Sequence, residues 1–286
     1  MSIVYLNGST MPIEDATISV MDRGFLFGDG VYEVIPAYGG NLFRLQEHLQ
    51  RLQNSLDGIH LKNPLSNQQW TDALNNIIQQ NSGEDQSVYL HVSRGGAAKR
   101  DHVFPDEIHP TVFIMSNELK QASRETLQQG VVCITLDDIR WHACHIKSTA
   151  LLANTLLRQQ AKEEGAVEAI LIRDGVATEG AASNIFIVKK DVLITPPTSH
   201  LLLPGITRDL ILELARENKL VCEERDISEE ELRDASEIWM TSSTKEIVPV
   251  IELDGKPVGN GQYGPIWESM IDIYQTYKNR LRQGEA

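Results

Sequence analysis

The sequence predicts a two-domain protein of the α+β or α/β class. β-rich runs and amphipathic helical segments alternate along the 286 residues, a pattern typical of mixed domains. A polar stretch at 117–126 interrupts this alternation. We therefore place the domain boundary near residue 119, with a smaller N-terminal domain at 1–118 and a larger C-terminal domain at 119–286. A chain of this length is large enough to bury two hydrophobic cores.

The N-terminal half contains signals for a β-sheet and two helices. Asn7-Gly8 follows a β-rich run and is typical of a hairpin turn. Leucines at 45, 49, 52 and 56 repeat with helical spacing, and Ser66 is suited to cap the next helix. A polar, basic loop is expected at 94–106. We expect strands at 3–6, 30–38, 87–92 and 111–115, and helices at 45–56 and 66–80.

The C-terminal half has more strands, interrupted by helices. Asp174-Gly175 is a second hairpin signal, and Gly165 is suited to end a helix. We expect strands at 131–136, 169–172, 176–178, 184–188, 192–195, 221–224, 237–240 and 247–253, and helices at 148–164, 207–218, 228–235 and 265–281.

Composition and charge exclude several classes of partner. The formal net charge of −14 disfavours binding to nucleic acid or to an anionic membrane. No run of residues is long and apolar enough for a membrane-spanning helix, and the N-terminus lacks the features of a signal peptide. The three cysteines are too few and too scattered for a disulfide framework. We therefore expect a cytoplasmic protein.

Three segments of the C-terminal half carry the candidate chemistry. Lys147 follows a strand-like stretch and precedes apolar residues, whereas most lysines are solvated surface charges. Glu179 precedes the small residues 180–183, and Ile206 and Thr207 open a helix after Gly205. An amine can form a Schiff base, a carboxylate can keep a pyridine nitrogen protonated, and a helix N-terminus can bind phosphate. Pyridoxal 5'-phosphate chemistry requires these three parts.

The order of these segments resembles that of the fold type IV pyridoxal-phosphate enzymes. This family includes branched-chain aminotransferases, D-amino acid aminotransferases and aminodeoxychorismate lyase. The resemblance covers nearly the whole chain, from Asp22-Arg23-Gly24 through His48-Leu49-Gln50-Arg51-Leu52 to Ser242-Ser243-Thr244. It implies a two-domain fold with pyridoxal phosphate between the domains. The cofactor ligands that it implies are Lys147 as the Schiff-base lysine, Glu179 at the ring nitrogen, and Arg51, Ile206, Thr207 and Thr244 at the phosphate.

The loop 94–102 separates the branches of this family. Arg100 and His102 resemble the Arg-x-His element with which D-amino acid aminotransferases bind the substrate carboxylate, together with a tyrosine at the position of Tyr32. Branched-chain L-enzymes lack this element and commonly have Phe in place of that tyrosine. The resemblance therefore implies transamination of D-amino acids, D-alanine included, with 2-oxoglutarate or pyruvate by ping-pong kinetics. It also implies a homodimer, in which this loop reaches across from the second subunit.

Three alternatives stay open at this point. A branched-chain L-amino acid aminotransferase would share the cofactor site and differ in the carboxylate-binding loop. Aminodeoxychorismate lyase would eliminate pyruvate instead of transferring nitrogen. A non-catalytic or metal-dependent protein is the third alternative, but the spacing of His142, Cys144 and His145 is not that of a zinc site, and we expect no metal.

Overall fold

The structure is a computed structural model that describes residues 2–285, and its segments group into two compact units. Unit 1 consists of the chain up to Lys120, Ile146–Leu151 and the chain from Arg280. Unit 2 consists of Gln121–His145 and Leu152–Asn279. The mixed class predicted from the sequence is confirmed, whereas the boundary after residue 118 stays a prediction. Among residues 2–285, no helix combines the length and apolar character that a membrane span needs.

Unit 1 is built on a six-stranded antiparallel sheet with the strand order β2-β1-β6-β5-β3-β4. Its strands are β1 (Ile3–Leu6), β2 (Ser9–Pro12), β3 (Gly30–Tyr38), β4 (Asn41–Leu42), β5 (Gln86–Ser93) and β6 (Thr111–Glu118). Its helices are α1 (Arg23–Phe27), α2 (Leu45–Gly58) and α3 (Asn67–Gln80), with a short 3₁₀ turn at Ile13–Asp15.

Local sequence explains how the elements of unit 1 begin and turn. Asn7 and Gly8 join β1 to β2 with φ angles of 49° and 96°, the left-handed conformation that a tight hairpin requires. Ser66 caps α3 as predicted: its Oγ accepts from the amide of Gln69, whose side chain accepts from the amide of Ser66. Leu49, Leu52 and Leu56 of α2 are buried in one core with Trp70 and Leu74 of α3, and Leu45 packs against this core partly buried. Strand β3 also carries Tyr32 and Glu33, and helix α2 carries Arg51 and Ser55.

Unit 2 contains a mixed ten-stranded sheet with the order β12-β11-β10-β14-β15-β7-β8-β9-β13, and β16 pairs with β15. Its strands are β7 (Val131–Asp137), β8 (Glu168–Arg173), β9 (Val176–Gly180), β10 (Asn184–Lys189), β11 (Val192–Thr195), β12 (Cys222–Glu224), β13 (Ile227–Ser228), β14 (Glu237–Ser242), β15 (Glu246–Leu253) and β16 (Lys256–Pro257). Its helices are α4 (Arg124–Gln128), α5 (Leu152–Glu163), α6 (Ile206–Glu217), α7 (Glu229–Arg233) and α8 (Pro265–Arg282), the last of which ends in unit 1.

The prediction of a helix directly after Lys147 is wrong. Helix α5 begins only at Leu152, because the preceding residues bond to strand β3 and the turn before it. The amide of Thr149 donates to the carbonyl oxygen of Gly30 (3.0 Å), and its hydroxyl donates to that of Gly28 (3.0 Å). The segment 146–151 therefore packs with unit 1, although the sequence alone assigned Lys147 to the C-terminal domain.

Candidate active site

Lys147 is held by strand β3 and helix α2 within unit 1. The amide of Tyr32 donates to the carbonyl oxygen of Lys147 (3.0 Å), and the amide of Lys147 donates to Oγ of Ser55 (3.1 Å). Nζ of Lys147 lies 4.3 Å from the centre of the Tyr32 ring, a distance at which an aromatic face attracts a cation. The side chain is partly buried. The main chain of Lys147 is thus bonded to β3 and α2, and its amine lies against the Tyr32 ring.

Arg51 belongs to a buried ion-pair cluster on the same helix as Ser55. Glu33, which follows Tyr32 on β3, accepts from Nε (2.8 Å) and Nη2 (2.7 Å) of Arg51 and contacts Nδ1 of His48 (2.8 Å). Burial opposes the charge of Glu33, but Arg51 and His48 outweigh burial and lower the pKa of this carboxyl. Burial lowers the pKa of His48, which as a neutral ring donates from Nδ1 to Glu33. Glu33 therefore fixes the direction of the Arg51 guanidinium group.

Glu179 is buried in unit 2 near the end of strand β9, where three donors hold its carboxylate. Nη1 of Arg140 donates to Oε1, while Nδ2 of Asn184 (3.1 Å) and the amide of Leu203 (3.1 Å) donate to Oε2. Arg140 also donates from Nε and Nη2 to Asp138, each at 2.9 Å. Burial would raise the pKa of Asp138, but the bonds from Arg140 lower it. Arg140 therefore lies between two carboxylates, and Glu179 cannot turn freely.

Helix α6 begins at Ile206 with polar groups that lack partners. Its N-cap is Gly205, which has no side chain to accept from the first amides. The Oγ1 atoms of Thr207 and of Thr241 on β14, against which α6 packs, are buried and have no hydrogen-bond partner in residues 2–285. The first amides of a helix are suited to an anion, which the helix dipole also favours, and the Thr207 hydroxyl lies in this first turn. These residues fit the phosphate of the cofactor expected from the sequence.

Asn184 brings Glu179 and the start of α6 together. Its Nδ2 donates to the carbonyl oxygen of Leu203 (2.9 Å) as well as to Glu179. Its Oδ1 lies so close to Gly205 that a Cβ atom on residue 205 would be 1.9 Å away. Only glycine therefore fits at position 205. Through its contacts with both residues, Asn184 keeps the Glu179 carboxylate next to the segment that enters α6.

Thr244 lies in the turn between β14 and β15, and its side chain is exposed. The turn directly follows the strand against which α6 packs. A hydroxyl is therefore present on the same unit as Ile206 and Thr207, and its role as a phosphate ligand stays a prediction.

Arg100 and His102 lie on the exposed loop of unit 1 and both contact Phe27. The guanidinium carbon of Arg100 is 4.9 Å from the centre of the Phe27 ring, and the His102 ring is 5.1 Å from it. The structure thus brings the two basic side chains to one aromatic ring at the end of α1. Within residues 2–285, Tyr32 has no hydrogen bond or ring contact with either of them. It packs instead on Tyr89, at a ring distance of 5.7 Å.

Tyr89 connects Tyr32 to a histidine on the same strand. Its hydroxyl lies 3.1 Å from Nδ1 of His91. Burial and the neighbouring Tyr32 raise the pKa of Tyr89 to about 12, and burial lowers the pKa of His91. Both groups are therefore neutral near pH 7 and share one hydrogen bond. The ring in contact with Lys147 is supported by this neutral, hydrogen-bonded pair.

The sequence did not single out four residues that orient the predicted ones. Glu33 and His48 hold Arg51, while Arg140 and Asn184 hold Glu179. Glu33 could have been noticed, because it is a charged residue inside a strand-forming, apolar run. Arg140 gave no such signal, because Glu179 lies far from it in the sequence, on strand β9.

Cys144 and His142, which lie close to Lys147 in the sequence, contact a main-chain carbonyl and an aromatic ring. The thiol of Cys144 donates to the carbonyl oxygen of Trp141 (3.1 Å), and the rings of His142 and His200 are 6.5 Å apart. Residues 2–285 contain no group of three or more His, Cys, Asp or Glu side chains arranged to hold a metal ion.

Comparison with known proteins gives matches over most of the chain. The family model described as "Amino-transferase class IV" matches residues 30–253. The D-alanine aminotransferase of Bacillus licheniformis is 40% identical over 272 residues, which cover 95% of each chain.

Solved structures of similar fold include two branched-chain amino acid aminotransferases. That of Escherichia coli has a TM-score of 0.89 and 28% identity, covering 96% of this chain and 94% of the other. The second, from the organism abbreviated T.th., was solved with pyridoxamine 5'-phosphate and has a TM-score of 0.91 and 26% identity, covering 100% and 95%.

Proposed function

The chain belongs to the class IV aminotransferases, which depend on pyridoxal 5'-phosphate, and from this we propose that it transfers the amino group of D-amino acids to a 2-oxo acid. The family match confirms the predicted resemblance, enzyme class and cofactor. D-Alanine is the proposed amino donor, supported by the name of the 40% identical relative. We propose 2-oxoglutarate or pyruvate as the acceptor, in a ping-pong cycle.

The residues proposed to hold the cofactor are those that the family resemblance implies. In unit 1, the amine of Lys147 would bond to it covalently, and Arg51 would contact its phosphate through the forked donors of the guanidinium group. In unit 2, the amides of Ile206 and Thr207 and the hydroxyl of Thr244 would also contact the phosphate. When bound, pyridoxal phosphate supplies an electron sink for the charge left on the substrate Cα after proton removal.

Lys147 has a second task, as the base that moves the proton. Its amine would take the proton from the substrate Cα and hold it at Nζ for the later return. The face of Tyr32, 4.3 Å from Nζ, favours the cation that forms when the amine takes this proton. Tyr32 would therefore hold the Lys147 amine in the position from which it takes the proton of the substrate Cα.

Glu179 would keep the ring nitrogen protonated through a charge-assisted hydrogen bond. The donors Arg140, Asn184 and the Leu203 amide hold this carboxylate in one orientation. Because its orientation is fixed before the cofactor arrives, little reorganisation is required when the charge on the ring changes.

Arg100 and His102 would bind the α-carboxylate of the substrate. Both are exposed on a loop, so they are available to a ligand or to a second protomer. We propose a homodimer in which this loop serves the partner's site, where Tyr32 of the receiving protomer completes the contact. Co-expression of the variants Lys147→Ala and Arg100→Ala tests this, because activity returns only if the loop acts across the dimer.

The observation that carries the proposal is the fixed amine of Lys147 against Tyr32, in a chain that matches the family from residue 30 to 253. A panel of D- and L-amino acids with pyruvate and with 2-oxoglutarate tests it, with the chirality of each product measured. Transfer from D-alanine supports the proposal. Release of pyruvate from aminodeoxychorismate without amino transfer would identify a lyase instead.

A branched-chain L-amino acid aminotransferase is the second candidate, since solved enzymes of that name share the fold. Preference for L-leucine or L-valine in the same panel would favour it. We also propose a cytoplasmic location, because Cys133, Cys144 and Cys222 are free thiols.

A further inference from the structure

The guanidinium group of Arg23 holds three consecutive carbonyl groups of the loop 94–106. Its Nη1 donates to the carbonyl oxygens of Asp101 (2.5 Å) and Val103 (3.3 Å), and its Nη2 donates to that of His102 (3.2 Å). The Arg23 side chain is only 4% exposed, although the loop itself is largely exposed. A buried cation therefore fixes the main chain on both sides of His102.

Asp29 supplies the charge that balances Arg23. Its Oδ2 accepts from Nε of Arg23 (2.7 Å) and from Nε of Arg94 (2.8 Å), and its Oδ1 accepts from Nη2 of Arg94 (3.0 Å). Burial alone would raise the pKa of Asp29, but the two arginines outweigh burial and lower it. Asp29 therefore stays charged and pairs with both guanidinium groups, which offsets the desolvation cost of burying them.

Arg94 extends this connection to helix α2 and to the loop. It donates from Nη2 to the carbonyl oxygen of Ile59 (2.7 Å) and from Nη1 to that of His60 (3.4 Å), just after the end of α2. Its guanidinium carbon lies 3.6 Å from the centre of the Phe104 ring. The loop is thus held twice, through its main chain by Arg23 and through an aromatic side chain by Arg94.

We propose that Arg23 is a positioning residue for substrate binding, which sets the loop conformation in which Arg100 and His102 act together on one carboxylate. The proposal rests on the proposed function, which gives that loop the substrate carboxylate. Arg23 bonds to main-chain carbonyls and to Asp29, so it makes its contribution through the order of the loop. A loop without this connection has to be ordered each time a substrate binds, which weakens binding.

Arginine is required at position 23 because of its geometry. The five N–H donors of a guanidinium lie in one plane and reach Asp29 and three carbonyl oxygens at the same time. A lysine would keep the positive charge beside Asp29 but, as a compact ammonium group, could not reach all four acceptors.

The test uses Arg23→Lys and Phe104→Leu in the holoenzyme, with Lys99→Gln as the matched control. Lys99 lies in the same loop, is 82% exposed and pairs with Asp101, so its removal changes the loop's charge and leaves Arg23 and Arg94 in place. Single-turnover reaction with D-alanine, followed by cofactor absorbance, measures the apparent dissociation constant and the maximal rate separately. Amide hydrogen exchange of residues 97–106 measures loop order without substrate.

We expect Arg23→Lys and Phe104→Leu to raise the apparent dissociation constant for D-alanine about tenfold, or about 1.4 kcal/mol. The maximal rate should change less than about twofold, because the groups that move the proton are untouched. Exchange should become faster at 97–106 and stay unchanged elsewhere in unit 1. Lys99→Gln should match the wild type in both measurements.

Two results would overturn the inference. One is wild-type exchange and wild-type affinity in the folded variants; the other is a loss of maximal rate with unchanged affinity. A variant that fails to fold leaves the other variant to decide, since Arg23→Lys loosens the bonds to the main chain and Phe104→Leu loosens the closer aromatic contact with Arg94. If the wild-type enzyme reacts with no D-amino acid, the proposed function fails, while the exchange measurement still tests whether Arg23 orders the loop.

Discussion

Tyr32 fixes both the main chain and the amine of Lys147. Its amide donates to the Lys147 carbonyl oxygen at 3.0 Å, and its ring centre lies 4.3 Å from Nζ. Because one residue of strand β3 makes both contacts, the position of the amine depends on the sheet of unit 1. The partly buried lysine is therefore held by a rigid element. A reaction that depends on the position of its base requires such support.

Lys147→Ala is expected to abolish transamination and covalent attachment of the cofactor. The amine is both the attachment point and the base, so no other group of the chain replaces it. Lys147→Arg is not expected to restore activity, because its guanidinium stays protonated. Borohydride reduction of the holoenzyme followed by peptide mapping checks the assignment, and a label on another lysine would contradict it.

Glu179→Gln is expected to bind the cofactor and to lose at least about a hundredfold in turnover, the size typical of losing one electrostatic stabiliser. A neutral amide cannot keep the ring nitrogen protonated, and it also loses the charge that pairs with Arg140. Steady-state rates with D-alanine and 2-oxoglutarate measure the effect. Glu237→Gln, which removes another buried carboxylate of unit 2, is the control and should keep turnover near that of the wild type.

Arg51→Ala is expected to weaken cofactor binding more than the chemical step, because the phosphate does not react. Excess pyridoxal phosphate should therefore restore most of the activity. Thr244→Ala should also weaken cofactor binding, but less, because it removes one neutral hydroxyl, whereas Arg51→Ala removes a charged group with several donors. Glu33→Gln should also weaken binding, because Glu33 orients the Arg51 guanidinium group. Titration of the apoenzyme measures each affinity, and wild-type affinity in Arg51→Ala would remove this residue from the site.

The sequence was sufficient to predict the mixed fold class and the family, because both depend on local patterns and short motifs. Glycine turns, leucine spacing and the cap at Ser66 act within a few residues, and the structure has these elements where the sequence indicated them. The helix after Lys147 was misplaced because strand β3, far away in the sequence, takes the backbone groups of Thr149. Pattern within the segment 148–151 contains no information about that strand.

The orienting residues could not be predicted for a similar reason. Arg140 meets Glu179 only because β7, β8 and β9 are neighbours in the sheet of unit 2. Arg23 meets the carbonyl of Asp101 only after the loop has folded back on α1. Contacts between residues distant in sequence depend on the register of the sheets, which a single sequence does not give.

The free energy of unfolding is expected to fall in acid through the pair of Glu33 and His48. Burial opposes the charge of Glu33, but Arg51 and His48 outweigh it and hold the pKa below its ordinary value of 4.5. The unfolded chain therefore binds a proton below about pH 4.5 that the folded chain does not, so stability present above this pH is lost below it. Burial lowers the pKa of His48 from its ordinary value of 6.5. The unfolded chain therefore binds a proton on this ring more readily, and the stability that neutral His48 contributes is lost as the pH falls below 6.5.

Urea unfolding of the wild type and of His48→Asn between about pH 7 and about pH 5 checks the histidine part of this prediction. The wild-type midpoint should fall over this range more steeply than that of the variant, which has no imidazole to protonate. Equal slopes in the two proteins would show that other groups determine the acid sensitivity.

The preference for D-amino acids is expected to depend on Arg100. Lys147 can take the α-proton only from the side of the cofactor on which it lies, so the accepted chirality depends on where the substrate carboxylate is held. Arg100, His102 and Tyr32 would hold it so that a D-substrate turns its Cα–H toward Lys147. Arg100→Ala should therefore raise KM for D-alanine strongly, since a charge-assisted contact contributes roughly 1.5 to 3 kcal/mol. The effect should be smaller on amines without a carboxylate, and a wild-type preference for L-leucine or L-valine over D-alanine would replace this assignment with the branched-chain one.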